Sequence, residues 1–447
     1  MVAYVIALTT IFSDSVFFVR LGAVVGAAVA SWLFYRLTIE LFDNDEAGFR
    51  AAVISNLILI FVVGAFVVTP DTPLIPFYLA SLITFHAAAK SDPKESGRYG
   101  KWVLAGAITG LAFLSKYTAA FFYPGALLYL FLSPERRGWL LKPHPYVAAI
   151  TSFLVFSPVI AWNAERDWAS FAFQFGHGMG EGKANPLYLF AEFFSSQVFI
   201  YSLGLFFFML ASFVTLTKKS FALGSNPLMT EKYRDACRFL FSFTLPTLLF
   251  FFVNAFRSRV EGNWPILGFL PLVVMTAVLV PDWYLKNSQR RLLNISGWVA
   301  LLLVLFVHVQ IADPVFNHPG RKEISIRSYG FGLLGEKVDA LWDEEPADFI
   351  LGNRYQIASL MSYNTKPHKE AHVVYENSTR YFFAPGYDSL KGKNGIYVTE
   401  QGRDKLKRLV KMFERIEEVD SVDIVRNGEF IQRFIFYRCY NYKKGFK

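Results

Sequence analysis

A single carboxylate between two prolines separates two long apolar stretches of the sequence. Asp71 lies in Thr69-Pro70-Asp71-Thr72-Pro73, between the apolar runs Ala51–Val68 and Leu74–Ala89. Each run is close to the ~20 residues that an α-helix needs to cross a bilayer. Because an ionisable group at a membrane boundary is costly, Asp71 is a candidate functional residue. The alternative is a helix cap, in which its carboxylate binds the free N–H groups of the next helix.

Basic residues near other apolar boundaries are the second kind of candidate. Lys116 lies between two apolar segments, where its ammonium is well placed to bind an anionic head group such as a lipid phosphate. Arg257 and Arg259 bracket Ser258, and a guanidinium fork suits phosphate in the same way. The alternatives are a lysine that only snorkels to the interface and arginines in an exposed ion pair.

Two aromatic, polar stretches add further candidates. After the arginines comes Val260-Glu261-Gly262-Asn263-Trp264-Pro265, in which Glu261 could pair with an arginine or receive a sugar hydroxyl and Trp264 could belong to an interfacial belt. The stretch Phe171–Gly182 is aromatic and Gly-rich, which predicts a mobile loop over a substrate. Gln174 and His177 are its candidate contacts, although a lone histidine is more often an ordinary surface residue.

Composition indicates a polytopic membrane protein with a further soluble domain. The chain has 447 residues, 53% of them apolar, a mean hydropathy of +0.32, 47 Phe and 22 Tyr. Its net charge of +9 comes mostly from short loops between apolar runs, so it reports membrane orientation and not nucleic-acid binding. Cys237 and Cys439 fall on opposite faces in the predicted topology, which leaves no disulfide framework. The single carboxylate of Asp71 at the membrane boundary is not enough to predict a divalent-metal site.

Ten apolar runs can span the bilayer if the shorter ones tilt or bend, which predicts a mainly α fold. They are Val16–Leu37, Ala51–Val68, Pro73–Ala89, Trp102–Leu114, Thr118–Leu132, Tyr146–Trp162, Leu187–Leu216, Ala236–Ala255, Trp264–Pro281 and Leu293–Ala312. An even number of spans places both chain ends on the same side. Met1–Phe12 is too short to span and is predicted to be an interfacial or partly buried helix.

The basic loops orient these spans. One set holds Arg36, Arg50, Lys90, Lys94, Arg98, Lys101, Arg136, Arg137, Lys142, Lys218, Lys219, Lys232, Arg234, Arg238, Lys286, Arg290 and Arg291. The alternate loops hold only Lys116, Arg166, Lys183, Arg257 and Arg259, with Arg20 just inside a helix. The first set is therefore cytoplasmic, and Asp71 and both chain ends face outward.

The sequence after the last span predicts a small α/β domain that faces outward. The expected domains are therefore 1–312 in the membrane and 313–447 outside it. Helices are predicted over Gly332–Glu344, Arg354–Tyr363 and Arg403–Ile416, and strands over Asp348–Leu351 and Ile396–Thr399. A hairpin of Val422–Val425 with Glu429–Tyr437 is predicted around Arg426-Asn427-Gly428, because Asn-Gly favours the tight turn of hairpins.

Several short motifs, in this order, resemble the membrane glycosyltransferases that use polyprenyl-phosphate sugars. This is the superfamily of protein O-mannosyltransferases and lipid A aminoarabinose transferases, which has the GT-C fold. The motifs are Phe18-Val19-Arg20-Leu21, Thr69–Pro73, Gly110–Thr118, Pro158–Asn163 with Trp168–Phe171 and Phe173-Gln174, and Asn263-Trp264-Pro265. The tail is similar as well, with Asn353-Arg354-Tyr355-Gln356 after a strand.

The resemblance implies a reaction and roles for residues. A sugar carried on a polyprenyl phosphate would be transferred, with inversion and outside the membrane, to a lipid, glycan or protein acceptor. Asp71 matches an acidic residue that binds the acceptor or organises the site, and Lys116 matches the lysine near the lipid phosphate. Arg257 and Arg259 match the same phosphate pole more loosely. The implied location is the inner or plasma membrane of the cell envelope.

The resemblance also implies a further helix and an outer loop with the catalytic base before the segment that matches Val2–Phe12. This sequence begins at Met1, after that position, and Asp14 falls too late to replace the base. As written, the chain is therefore expected to lack the base and to be truncated or inactive. One alternative is a non-catalytic protein with the same fold that binds polyprenyl-phosphate lipids. A transporter is a weaker alternative, because its charged residues would lie near the middle of the bilayer, whereas the candidates here lie at one membrane boundary.

Overall fold

The structure is a computed structural model that describes residues 15–92, 97–179, 185–221, 230–312, 329–374, 387–403 and 405–443. The chain divides into two compact units, Met1–Val307 and His308–Lys447. The predicted interfacial helix Met1–Phe12 lies outside the described residues, as do Asp14 and Lys183.

The first unit is built from helices. In chain order they are α1 (Val16–Phe42), α2 (Asp45–Leu57), α3 (Leu59–Gly64), α4 (Asp71–Lys90), α5 (Arg98–Ser115), α6 (Phe122–Leu132), α7 (His144–Ala164), α8 (Ala169–Met179), α9 (Pro186–Ile200), α10 (Gly204–Phe221), α11 (Glu231–Asn254), α12 (Ile266–Tyr284) and α13 (Asn287–Ala312). Short 3₁₀ turns at Tyr117–Phe121 and Arg137–Leu141 flank α6.

Seven helices among the described residues are long and apolar enough to cross a membrane: α1, α4, α7, α10, α11, α12 and α13. Three of the ten predicted spans, which were expected to bend or tilt where short, are not among these seven helices. Ala51–Val68 is divided between α2 and α3, Trp102–Leu114 lies within the less apolar α5, and Thr118–Leu132 forms a 3₁₀ turn followed by the short α6. Leu187–Leu216 is also divided, into α9 and α10.

A side chain at one of these breaks satisfies backbone groups at another. The chain between α9 and α10 turns through positive φ at Ser202 and Leu203. The Ser202 hydroxyl donates to the Leu57 carbonyl at 2.7 Å and accepts from the Leu59 N–H at 3.0 Å, which spans the break between α2 and α3. Because a bilayer offers no water to unpaired backbone groups, irregular backbone within it must find protein partners of this kind.

The helices differ in how far they lie inside the bundle. Within their apolar windows, α12 is 78% buried, whereas α7 and α13 are only 17% buried. Helices α5 and α7 pack closely through small residues, since a Cβ on Gly110 would lie 2.6 Å from Val155 Cβ and 2.8 Å from the Ser152 carbonyl. Gly106, one turn earlier, leaves equally little room against Ala148. This close packing of small residues fixes α5, which ends next to Lys116.

The second unit is a five-stranded mixed sheet with three helices. Its elements are α14 (Phe331–Glu344), β1 (Phe349–Gly352), α15 (Tyr355–Asn364), β2 (Ala371–Val373), β3 (Gly395–Glu400), α16 (Leu406–Met412), β4 (Phe413–Arg426) and β5 (Glu429–Tyr442). The strand order is β2-β1-β3-β5-β4; β1 is parallel to β2 and β3, and β5 is antiparallel to β3 and β4. The predicted hairpin is present, with positive φ at Asn427 and Gly428.

One predicted helix in this unit is partly wrong. Helix α16 ends at Met412, and the residues from Phe413 to Ile416 begin β4 instead of continuing the helix. The apolar spacing of Phe413, Ile416 and Val419 fits a helix, but pairing with β5, which joins Phe413 to Tyr442 and Arg415 to Tyr440, decides the conformation. Non-local pairing of this kind overrides local periodicity.

Candidate functional site at one end of the helix bundle

Asp71 lies at the centre of a small polar cluster inside the first unit. Its carboxylate accepts hydrogen bonds from Lys116 Nζ at 2.7 Å on Oδ1 and 3.0 Å on Oδ2, and from Asn263 Nδ2 at 2.6 Å on Oδ2. Asp71 is 8% exposed, and the Lys116 side chain is 19% exposed. Charge-assisted hydrogen bonds of this length are among the stronger polar contacts in proteins. The structure therefore brings three sequence candidates together at one end of the bundle.

The local sequence leaves the Asp71 carboxylate available for these contacts. Asp71 is the first residue of α4, and its own N–H donates to Thr69 Oγ1 at 3.2 Å. Thr72 Oγ1 accepts from the Thr69 N–H at 3.0 Å, so the two threonines serve the backbone at the helix start. The capping alternative for the Asp71 side chain is not what its geometry shows, because both carboxylate oxygens face Lys116 and Asn263.

Lys116 reaches the cluster from an extended link. It follows the last residue of α5 with φ −160° and ψ 139°, and the chain then turns into the 3₁₀ segment Tyr117–Phe121. The chain is therefore broken at Lys116, between α5 and the next helical segment.

Asn263 is held by the turn between α11 and α12. The neighbouring Gly262 carbonyl accepts a hydrogen bond from Gln197 Nε2 at 3.1 Å, and Trp264 N–H donates to the Glu261 carbonyl at 3.0 Å. Gln197 is fully buried on α9. The sequence analysis did not select Gln197, although an uncharged polar residue within the apolar run Leu187–Leu216 was a usable signal.

The other candidates of this turn differ in their surroundings. Arg257 is exposed and lines an open pocket of about 370 Å³ with residues of α11. Arg259 pairs with Glu192 at 2.9 Å while its side chain stays 69% exposed, which is the exposed ion pair considered above. Glu261 is exposed, and the half-buried Trp264 packs against Phe251.

The segment predicted to be a substrate-covering loop is helical over Ala169–Met179, so this prediction is wrong as to structure. Its start is fixed by a hydrogen-bonded chain: Tyr117 Oη lies 2.7 Å from Ser170 Oγ, which donates to Asn163 Oδ1 at 2.7 Å. Local turns at Asp167 and Trp168, both with positive φ, then start the helix. Gln174 is exposed, and the His177 side chain lies outside the described part of the chain.

The cluster is suited to binding an anion next to a hydroxyl group. Lys116 supplies a positive charge that a phosphate can share, while Asp71 can accept a hydrogen bond from a sugar or acceptor hydroxyl. Within the described ranges no group of three or more His, Cys, Asp and Glu side chains could hold a metal ion.

Comparison with known proteins agrees with this description. Residues 1–162 match the model of a family described as dolichyl-phosphate-mannose-protein mannosyltransferase. An undecaprenyl phosphate-alpha-4-amino-4-deoxy-L-arabinose arabinosyl transferase of Yersinia enterocolitica is 29% identical over 166 residues, which are 36% of this chain and 29% of that protein. The lipid A galacturonosyltransferase RgtD of Rhizobium johnstonii is 23% identical over 383 residues, 80% of this chain and 72% of that protein. The match thus spans less than a third of the Yersinia relative.

Solved structures show the same fold. ArnT from Cupriavidus metallidurans in the apo state has a TM-score of 0.62 at 14% identity, covering 97% of this chain and 86% of that chain. Its complex with undecaprenyl phosphate has a TM-score of 0.60 at 13% identity, with the same coverage.

These findings define the class of protein. The fold is a mainly α, GT-C-type membrane bundle with a small C-terminal sheet, and the predicted fold class is confirmed. The chain is a multi-pass membrane protein. Its predicted resemblance to the glycosyltransferases that use polyprenyl-phosphate sugars is confirmed by the family model, the curated relatives and the fold.

Proposed function

We propose that this chain is an integral membrane glycosyltransferase that moves a sugar from a polyprenyl-phosphate donor to an acceptor on the extracytoplasmic face. One observation carries the proposal: Lys116 and Asn263 converge on the Asp71 carboxylate at 2.7 and 2.6 Å, at the end of the bundle opposite most basic loops. The names of the relatives and their shared fold support the same class of reaction.

Lys116 has the charge that the departing lipid phosphate needs. When the bond between the anomeric carbon and the phosphate oxygen breaks, negative charge grows on that phosphate, and a nearby ammonium stabilises it. Because Lys116 already pairs with Asp71, an incoming phosphate must share or displace this carboxylate. Arg257, exposed in the turn that leads to Asn263, is the second cation proposed for the phosphate.

Asp71 is assigned to the acceptor side. A carboxylate with Lys116 on one side and Asn263 on the other keeps a fixed orientation. It can therefore accept a hydrogen bond from an attacking hydroxyl and hold that hydroxyl in line with the anomeric carbon. The acceptor oxygen forms the new glycosidic bond, and the lipid phosphate departs with the electron pair of the broken bond. The acceptor proton passes to the base that the resemblance places in an outer loop before the segment matching Val2–Phe12.

The proposed location follows from the charge pattern of the loops. The loops rich in Lys and Arg are assigned to the cytoplasm, and the Asp71 end of the bundle to the extracytoplasmic side of the inner or plasma membrane. By the same assignment residues 1–312 form the transferase domain in the membrane, and residues 313–447 form a separate extracytoplasmic domain.

The proposal is tested in lipid nanodiscs by direct assay of the purified chain together with any in-frame segment encoded before Met1, because the resemblance places the catalytic base in such a segment. Polyprenyl-phosphate sugars carrying a radiolabelled sugar would be supplied with lipid, glycan and peptide acceptors. Labelled acceptor that is formed by the wild type and lost in Asp71→Asn supports the transferase. Donor binding without any label on an acceptor, in both proteins, would instead favour a lipid-binding protein on the same scaffold and overturn the proposal.

A further inference from the structure

The sheet of the second unit has a switch in strand order next to β1. The chain leaves β1 through α15 to β2 on one side, and it leaves β3 through α16 towards β4 and β5 on the other. Connections that diverge in this way leave a crevice at the carboxyl ends of the two parallel strands, where ligands of open α/β sheets bind. The strands β1 and β3 are parallel, with Gly352 opposite Val398, so position 354 follows opposite position 400.

Charged side chains meet at this place. Arg354 follows β1 and pairs through Nη2 with Glu400 Oε1 at the end of β3, while Arg403 Nη1 lies 3.2 Å from Glu400 Oε2. Gly402, with φ +76°, allows the turn that directs Arg403 back over Glu400, and the Arg403 N–H donates to the Glu400 carbonyl at 3.0 Å. One carboxylate therefore faces two guanidinium groups, and the cluster keeps a net charge of +1.

The burial of these groups is unequal. Glu400 is 2% exposed, whereas the side chains of Arg354 and Arg403 are 37% and 55% exposed. One buried ion pair would be enough to join the ends of β1 and β3, so this structural role does not account for two accessible guanidinium groups on one carboxylate. Both arginines thus keep donors that a ligand can reach.

Two neighbouring polar atoms lack partners. Arg354 Nε and Asn353 Oδ1 are buried and have no hydrogen-bond partner in the part of the chain that the structure describes. Asn353 is itself only 5% exposed, and its Nδ2 donates to the Arg403 carbonyl at 3.3 Å. Buried polar groups in native proteins are nearly always paired. A donor left open on Arg354 and an acceptor left open on Asn353 match a ligand that carries an oxyanion beside a hydroxyl.

The start of α15 adds to the positive potential. This ten-residue helix begins at Tyr355 directly after Arg354, and its N-terminus has no side-chain cap. Gly352 permits this short connection, since a Cβ there would lie 2.6 Å from the Ala358 nitrogen. The free N–H groups at a helix start favour negative charge.

From these contacts we infer that the crevice formed by Asn353, Arg354, Glu400 and Arg403 binds a phosphorylated sugar. The two arginines hold the phosphate, and Asn353 accepts a hydrogen bond from a sugar hydroxyl. The buried Glu400 competes with the phosphate for the arginines and so sets a moderate affinity. This site lies within the second unit and does not depend on the function proposed for the membrane region.

The test is a titration of the full-length chain in detergent by calorimetry. The probes are glucose 6-phosphate, inorganic phosphate and glucose, with dodecyl glucoside 6-phosphate as a lipid-borne form of the same head group. Glucose 6-phosphate is expected to bind more tightly than inorganic phosphate, and glucose is expected not to bind. Tighter binding of the dodecyl compound that is lost in Arg354→Gln would assign a glycolipid ligand to the crevice. Equal binding of the dodecyl compound and glucose 6-phosphate would assign a soluble sugar phosphate.

Variants separate a ligand site from a structural ion pair. Arg354→Gln loses both the charge and the forked guanidinium, so its affinity for glucose 6-phosphate should fall at least tenfold. Arg354→Lys keeps the charge and loses only the forked geometry, so its affinity should fall less. Glu400→Gln removes the competing carboxylate and should raise the affinity several-fold. Arg415→Gln, an exposed arginine on β4 paired with Glu417, is the matched control and should bind as wild type.

Arg354→Gln should keep the wild-type affinity for polyprenyl phosphate, which keeps this test independent of the membrane site. Circular dichroism of each variant shows whether it is folded, and Arg354→Lys retains the ion pair if Arg354→Gln does not fold. No binding of either phosphate by the wild type, or unchanged affinity in folded Arg354→Lys and Glu400→Gln, would overturn the inference and leave a purely structural cluster.

Discussion

The ammonium of Lys116 lies 2.7 Å from Oδ1 and 3.0 Å from Oδ2 of Asp71, although 45 positions of sequence separate the two residues. Neither group is well solvated, because the side chains are 19% and 11% exposed. In such surroundings each charge depends on the other, so a change at one residue alters how the second meets a ligand. The predictions for the membrane site follow from this dependence.

Asp71→Asn should abolish sugar transfer while the protein stays folded. The amide keeps the shape of the side chain but loses the charge that holds an acceptor hydroxyl, so the rate should fall by about 100-fold or more. Transfer of labelled sugar in nanodiscs measures the rate. Asp167→Asn changes an exposed carboxylate in the turn before α8 and should transfer normally. Wild-type activity in Asp71→Asn would remove Asp71 from the reaction.

Lys116→Ala should weaken the binding of polyprenyl phosphate about tenfold, the effect of losing one charge-assisted contact worth about 1.4 kcal/mol. Native mass spectrometry or a filter-binding assay with labelled lipid measures the change. Lys116→Arg keeps the charge and should retain most of the affinity, whereas Lys218→Ala, in a basic loop at the end of α10, should have no effect. Equal affinity in Lys116→Ala and wild type would return Lys116 to the class of snorkelling lysines.

Asn263→Leu should slow transfer more than it weakens lipid binding. Its side chain donates at 2.6 Å to Asp71, so its loss removes one of the two groups that orient the carboxylate while Lys116 stays in place. We expect roughly a tenfold loss of rate, in line with about 1 to 1.5 kcal/mol for one hydrogen bond to a charged group. Asn263→Gln keeps the donor and should recover part of the rate. A matching loss of donor-lipid affinity would show that Asn263 acts on the phosphate instead.

Ser202→Ala should destabilise the bundle by about 1–3 kcal/mol, because it leaves the Leu57 carbonyl and the Leu59 N–H unpaired in the interior. Thermal unfolding in detergent measures the change. Ser195→Ala is the control, since that exposed hydroxyl bonds only to Glu192 of its own helix. Equal melting temperatures for both variants would mean that the paired breaks do not stabilise the fold.

Local sequence patterns predicted the membrane class and most helix positions, and they singled out Asp71, Lys116 and Asn263 as candidate site residues. They led us to expect that the turn of Arg257–Trp264 would meet Asp71 and Lys116. They could not show that Asn263 would make the contact, because it spans 192 positions and depends on how α11 and α12 pack. The breaks at Ile58 and Ser202 have neither Gly nor Pro at those positions, so the apolar pattern continues through them. Gln197 and the start of β4 were missed for the same reason, since their partners come from distant segments.

The most direct test of the proposed site compares polyprenyl-phosphate affinity in Asp71→Asn, Lys116→Ala and the double variant. If the lipid phosphate binds Lys116 in competition with Asp71, Asp71→Asn should bind the lipid several-fold more tightly than wild type while losing transfer. The double variant should then bind as weakly as Lys116→Ala alone. Unchanged affinity in all three proteins would contradict the proposal that Asp71 and Lys116 form the head-group site.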